Sequence, residues 1–395
     1  MKLTIKDIFP EKGHVQRLYC DDCNTLMDLT FIDFDAEVTG VHIIIEGLPF
    51  LKCHACGKEH WTERSRFAVI KTHENAIKAG NNRVFVKRQK IEKSFGFTEI
   101  PFVYDPDDYH YIPGLSRPFN EGFLTPVFFN RSVLLKFDTR PDYRLKFVSK
   151  TYGSIINDDK GFIVAFGLNR KNLVVMWLGD IAELPESEQY YLKSENVPSD
   201  HCLGSEFYEG QLECVFTERS PEDKLFKLRS EFIDICYKKF GQKIAQLEEE
   251  VLDRALDFNE PVVDTKKERR HISNTMDEIY VESLNTKALK KLAQEAGVKE
   301  LEKLKGLKLF QVWLQALFPN EDVHNLVSPF FILNDLRIAN AHISSMQKQE
   351  VRMLSVFERM SLKEDTGFIE VYCNLRDRLT ESYERLKALM YSMEK

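Results

Sequence analysis

Long apolar runs are missing from this sequence. The nearest approach, "GVHIIIEGLPFL", is short and carries Glu46, well under the ~18–20 residues that span a bilayer. The opening "MKLTIKDIFPEKG" lacks the uninterrupted apolar stretch of a secretory signal. There is no internal repeat, no low-complexity tract, and no glycine-rich nucleotide loop in the middle of the chain. Nor is there an excess of positive charge: the formal net charge of −7 argues against a surface coated throughout for nucleic acid. These absences exclude a helical membrane protein and leave the cytoplasm as the expected location.

Cysteine is scarce, with eight among 395 residues. Four of them form two C-x-x-C pairs, Cys20/Cys23 and Cys53/Cys56. In a reducing compartment such pairs bind metal more often than they form disulfides. Cys202, Cys214, Cys236 and Cys373 follow no pattern and read as small buried apolar residues. What the chain has in plenty is core material. It is 43% hydrophobic, with 29 Phe and 14 Tyr, and 30% charged. That describes a soluble globular protein of two or three domains.

The expected class is α+β and multidomain. Residues 1–65 hold both cysteine pairs around an alternating, hairpin-like segment. Residues 66–100 form a basic helix/strand connector, the helix ending at Gly80-Asn81-Asn82. Residues 101–219 read as a mainly antiparallel β domain, with strands in "GFLTPVFFN", "RSVLLKF", "YRLKFVS", "GFIVAFGLN" and "NLVVMWLG". A long helix over 220–260 opens with Ser220 as N-cap and Pro221 at the first helical position. Residues 261–395 are all-α, with helices near 284–296, 305–318, 322–343, 348–362 and 368–393. "DTKKERRHIS" between them reads as a break or exposed loop. "YDPDDYHY" at 104–111 reads as a second exposed loop, despite its Asp and His content. His201 and Cys202 are adjacent and make no Cys–His nucleophile by themselves. Glu248, Glu249 and Glu250 read as an exposed helix face, and Trp177 and Trp313 as core.

Two thiolates from each C-x-x-C turn can close a tetrahedron around Zn2+. Four cysteines leave no open coordination position, so the expected metal is structural. Gly57 after the second pair permits the left-handed turn such a knuckle needs. Unliganded thiols or a redox pair are the competing readings. "YCDDCNTLM…VHIIIEGLPFLKCHACGKEHW" resembles the YgiT-type zinc ribbon of bacterial antitoxins, with Ile45, Gly47 and Pro49 where that pattern has them. The resemblance covers about residues 18–65 and implies a zinc-stabilised platform for dimerisation or for a partner protein. No helix-turn-helix of the antitoxin kind follows it.

Between Arg64 and Lys93 nine basic residues face two acidic ones. Arg64, Arg66, Lys71, Arg83, Lys87, Arg88 and Lys90 are the candidate nucleic-acid contacts of this stretch. It reads equally as a solvated face paired with an acidic body.

Near the other end, "NDLRIANAH" places Arg337, Asn340 and His342 on one expected helix. At ~100° per residue, Asn340 lies about 60° around from Arg337 and His342 about 140°. The segment resembles the R-x4-H signature of HEPN domains, helical bundles that dimerise and cut RNA without metal. That resemblance implies His342 as acid or base, Arg337 as stabiliser of the phosphoryl charge, and two copies meeting around one phosphodiester. Ile338 stands where the family commonly has a polar residue, and Asn340 is the nearest substitute as orienter. Read without the resemblance, the segment is a polar turn of a helical bundle.

The functional expectation is a homodimeric, metal-independent endoribonuclease carrying structural Zn2+, with RNA as substrate, in a bacterial defence or toxin system. In that reading the ribbon and the basic stretch hold RNA or a protein partner. The alternatives are a non-enzymatic zinc-ribbon adaptor that binds a protein or nucleic-acid partner, and a DNA-binding regulator.

Overall fold

The computed structural model describes residues 2–9, 17–215, 218–256, 258–341 and 346–393. The chain forms two compact units, one of residues 1–143 and 151–217, the other of 144–150 and 218–395. Both contain helices, and no helix among the described residues is long and apolar enough to cross a membrane.

The first unit is built on a long antiparallel hairpin, β1 (Met27–Val38) and β2 (Val41–Cys53), with Lys2–Leu3 pairing parallel to the end of β1. It turns at Thr39-Gly40, both with positive φ. Strand alternation puts Phe34, Ala36 and Val38 beside Val41, Ile43 and Ile45 on one buried face. A short strand β3 (Glu59–Trp61) then pairs with the end of β2. Helix α1 (Glu63–Lys78) follows, capped by the Thr62 hydroxyl, which accepts from the Ser65 amide at 3.1 Å. Its Val69 and Ala76 complete the hairpin's core. Strand β4 (Arg83–Lys87) returns parallel to β2. The cysteine ribbon is thus one end of a sheet whose other end is covered by a helix.

A second, antiparallel sheet follows in the same unit. Its strands β5 (Pro126–Phe129), β6 (Tyr152–Asn157), β7 (Phe162–Leu168) and β8 (Val174–Trp177) lie in the order β5-β8-β7-β6. The pair Asn196–Val197 adds to the outer side of β5. Two sequence expectations fail here. "RSVLLKF" is a 3-10 turn (Arg131–Leu134) running into a helix (Leu135–Thr139) rather than a strand. Val133, Leu134 and Phe137 are its buried residues, a helical spacing that β-branched content concealed. "YDPDDYHY" is no exposed loop: α2 (Pro106–Tyr111) is a one-and-a-half-turn helix with Asp107 and Asp108 fully buried. Asp105 caps it and Pro106 takes the first position.

The second unit is helical. Helix α3 (Pro221–Phe240) is capped by Ser220 and ends at Gly241 in the left-handed region, so the expected helix over 220–260 is two, with α4 at Glu248–Leu256. "DTKKERRHIS" is the largest departure from expectation. It forms α5 (Lys266–Asp277), whose Thr265 hydroxyl accepts from the Glu268 amide. Glu268, Ile272, Ser273 and Met276 form its buried side. A π segment, Glu278–Glu282, continues it. Then come α6 (Thr286–Glu295), α7 (Leu307–Leu317), α8 (Val323–Ala341), α9 (Met346–Met360) and α10 (Phe368–Ser392). Helix α8 touches α5, α7, α9 and α10. That central position explains why it is apolar nearly all round and tolerates Pro329 within it. The short strand Arg144–Phe147 joins this unit: Asn259 Nδ2 donates to the Leu145 carbonyl at 2.8 Å, and the Phe147 backbone amide donates to Asn259 Oδ1 at 3.3 Å. Trp177 and Trp313 are both buried, each in its own unit.

Candidate metal centre and candidate active site

Hairpin pairing sets the cysteine geometry. Met27, at the start of β1, sits opposite Cys53 at the end of β2, and Tyr19 bridges to Leu26. Both C-x-x-C units therefore meet at one end of the ribbon. They are built alike. The Asn24 amide donates to the Cys20 carbonyl and the Gly57 amide to the Cys53 carbonyl, both at 2.9 Å. Asn24 and Gly57, each directly after its second cysteine, have φ of +50° and +75°. The sulfurs of Cys20, Cys23, Cys53 and Cys56 lie within 4.8 Å of one another. Cys20–Cys56 and Cys23–Cys53 are 3.7 and 3.3 Å apart. A tetrahedron with metal–sulfur bonds of about 2.3 Å needs sulfurs about 3.8 Å apart. The four thiols can hold a metal ion, and the donor set fits zinc with every position filled. Sequence reading passed over His60, whose Nε2 lies 3.5 Å from Cys20 Sγ and whose Nδ1 lies 3.8 Å from Asp21 Oδ2. It can brace the thiolate from outside the ligand set. Its position in the strand immediately after the second knuckle was the available clue.

The basic stretch does not form a single surface. Arg64 and Lys71 are exposed on α1, whose inner side carries Val69 and Ala76. Arg83 and Lys87 project from the opposite sheet face, since Val84 and Val86 pack on the core. Arg66 donates to the Ile8 carbonyl and lies 5.9 Å over the Trp61 ring. Arg88 pairs with buried Asp107 at 2.8 Å and sits 4.2 Å over Phe31. Lys90 pairs with Asp105 at 3.0 Å. Arg88 and Lys90 thus balance the acidic residues of α2, although Lys90, like Arg64, Lys71, Arg83 and Lys87, is exposed.

Arg337 and Asn340 both project from α8 toward α5 and the π segment. Arg337 Nη2 donates to Glu282 Oε1 at 2.7 Å, and its Nε lies 3.6 Å from Asp277 Oδ2. Asn340 Nδ2 donates to the buried Ser273 hydroxyl at 2.9 Å. His342, the third member of the expected set, lies outside the described residues. Sequence reading missed Asp277 because it had assigned its approach to a loop. This carboxyl is 1% exposed, and neither oxygen has a hydrogen-bond partner. Burial raises its pKa to about 6; Arg337 opposes the rise, while Glu282 and Glu278 reinforce it. A buried carboxyl titrating near neutrality beside an arginine is the kind of group that general acid–base chemistry uses.

No protein-family model, curated protein or solved structure matches this chain.

Another histidine is organised with equal care. His201, at φ +60°, has its Nδ1 2.7 Å from Oδ1 of buried Asp108, whose Oδ2 accepts from Ser199 at 2.6 Å. Burial pulls the imidazole pKa down, but Asp108 outweighs it and the net direction is up. Cys202, its neighbour, is buried, with its thiol pushed upward by that burial. His201 thus forms a dyad with Asp108, and the dyad locks α2 to the loop before Cys202.

Proposed function

We propose that the protein is a homodimeric endoribonuclease of HEPN type, stabilised by structural zinc on Cys20, Cys23, Cys53 and Cys56. The zinc keeps the ribbon folded and, with no open position, takes no part in the chemistry. Arg337 binds a non-bridging phosphate oxygen, Asn340 orients it, and His342 moves the proton. The 2′-oxygen attacks phosphorus as the 5′-oxygen leaves. One imidazole takes the hydroxyl proton, and its counterpart from the second copy protonates the leaving oxygen. The exposed cations Arg64, Lys71, Arg83 and Lys87 attract RNA, and a bacterial defence or toxin role accords with the two resemblances. The observation that carries this reading is the convergence of Arg337 and Asn340 with a buried, near-neutral carboxyl on one side of α8.

Incubation of single-stranded RNA with excess EDTA should give cleavage by the unaltered protein. Arg337→Ala and His342→Ala should each slow it by about 10²–10⁴-fold. Equal cleavage by all three would remove both residues from the chemistry. The adaptor reading is favoured by one observation: Arg337 is already engaged by two carboxylates of its own chain. RNA bound but left intact by every form would establish that reading instead.

A further inference from the structure

Two of the contacts of Arg337 are unlike. Its Nη2 edge meets Glu282, half-exposed, through one short bond. Its Nε edge meets Asp277, which is buried and accepts no hydrogen bond. A guanidinium offers its donors as a planar fork, and a phosphodiester presents two oxygens that match one edge of it. An exposed carboxylate on that edge is weakly held and displaceable, whereas a buried one stays where it is.

The backbone makes this possible. In an α-helix, residues five apart lie about 140° apart around the axis, which would send Asp277 and Glu282 to different sides. The Ser283 amide donates to the Glu278 carbonyl at 3.2 Å, the i→i+5 bond of a π turn. The wider turn brings both carboxyls to the same arginine.

Building on the nuclease reading, we propose that Glu282 occupies the scissile phosphate's place on Arg337 and is displaced by it, while Asp277 holds the guanidinium in position from beneath. Glu282 is then a gate that lowers affinity for phosphodiesters in the resting protein. Asp277 is a positioning residue acting through Arg337. The charged groups facing Asp277 are Arg337 from α8 and Glu278 and Glu282 from the π segment.

The test uses the full chain and a short 2′-O-methyl RNA, which binds but cannot be cut, alongside a cleavable RNA of the same sequence. Glu282→Gln should bind the uncleavable RNA about tenfold more tightly and cut the cleavable one faster at limiting substrate. Asp277→Asn should lower kcat with little change in binding, and the acid limb of its pH–rate profile should be less steep than that of the unaltered protein, keeping the part due to the imidazole base and losing the part due to Asp277. A merely structural Asp277 would leave the steepness of that limb unchanged. Unchanged or weaker binding by Glu282→Gln, with Arg337→Ala still impaired, would overturn the gate and leave the nuclease standing. Binding and cleavage indifferent to Arg337→Ala would remove the nuclease reading itself, and the gate with it.

Discussion

Replacing Cys53 with serine should release the metal and unfold the segment from Leu18 to Trp61. Cys53 is the most enclosed of the four thiols, 0% exposed, and ends the strand that pairs with Met27. Three remaining ligands hold zinc far less tightly than four. In small zinc folds the binding energy, apparent values about 10–16 kcal/mol, is the folding energy. Elemental analysis should find one zinc per chain in the unaltered protein and none in Cys53→Ser. Limited proteolysis should cut the variant between the knuckles while the helical unit survives. Cys214→Ser is the control, because that cysteine is exposed and outside the cluster. A Cys53→Ser protein that keeps stoichiometric zinc and its resistance to protease would refute the ribbon assignment.

Glu188→Gln should cost the first unit on the order of 1–3 kcal/mol at pH 7. Glu188, from the helix Glu186–Ser194, is buried between Lys136 and Lys160, each 2.5 Å away, and accepts from the Tyr143 hydroxyl at 2.8 Å. Burial pushes its pKa up, but the two lysines and the tyrosine outweigh burial and bring it from 4.5 down to about 2. A shift of that size corresponds to at most about 3 kcal/mol, reduced by solvent screening because Lys160 is more than a third exposed. Because the folded value is the lower one, this stability is present above pH 4.5 and is lost as the pH falls toward 2. Denaturant unfolding at pH 7 and at pH 2.5 should show the difference between the two proteins shrinking toward zero in acid. A gap that stays constant across that range would mean the carboxylate is not what the lysines stabilise.

Elements announced by strong periodicity or by paired caps could be read from the sequence. Helix α1 begins after Thr62 and ends before Gly80, and α8 follows its apolar run from Val323 to Ala341. The cysteine cluster was equally readable, since spacing alone specifies two knuckles and the hairpin between them closes the square. The misses share a cause. In α5 the charges of "KKERRH" outweighed, on reading, a Thr265-x-x-Glu268 start signal that the fold obeys. In α2 the prolines and aspartates suggested a turn, and the partners that make those carboxylates buriable, Arg88, Ser199 and His201, are distant in sequence. The partners of Arg337 were hidden for a related reason. A π turn leaves no compositional mark, and Glu282 lies 55 residues from the arginine it pairs with.

The strand Arg144–Phe147 has a bearing on how the polypeptide is made. It is synthesised in the midst of the first unit yet belongs to the second, and Leu145 precedes its partner Asn259 by 114 residues. On the ribosome its two hydrogen bonds with Asn259 cannot form until the rest of the sheet-bearing half has emerged. A fragment starting at Glu218 would never contain it. Severing the gene there would therefore yield an incomplete helical half, and biochemical dissection of the two halves should carry residues 144–150 along with the C-terminal piece.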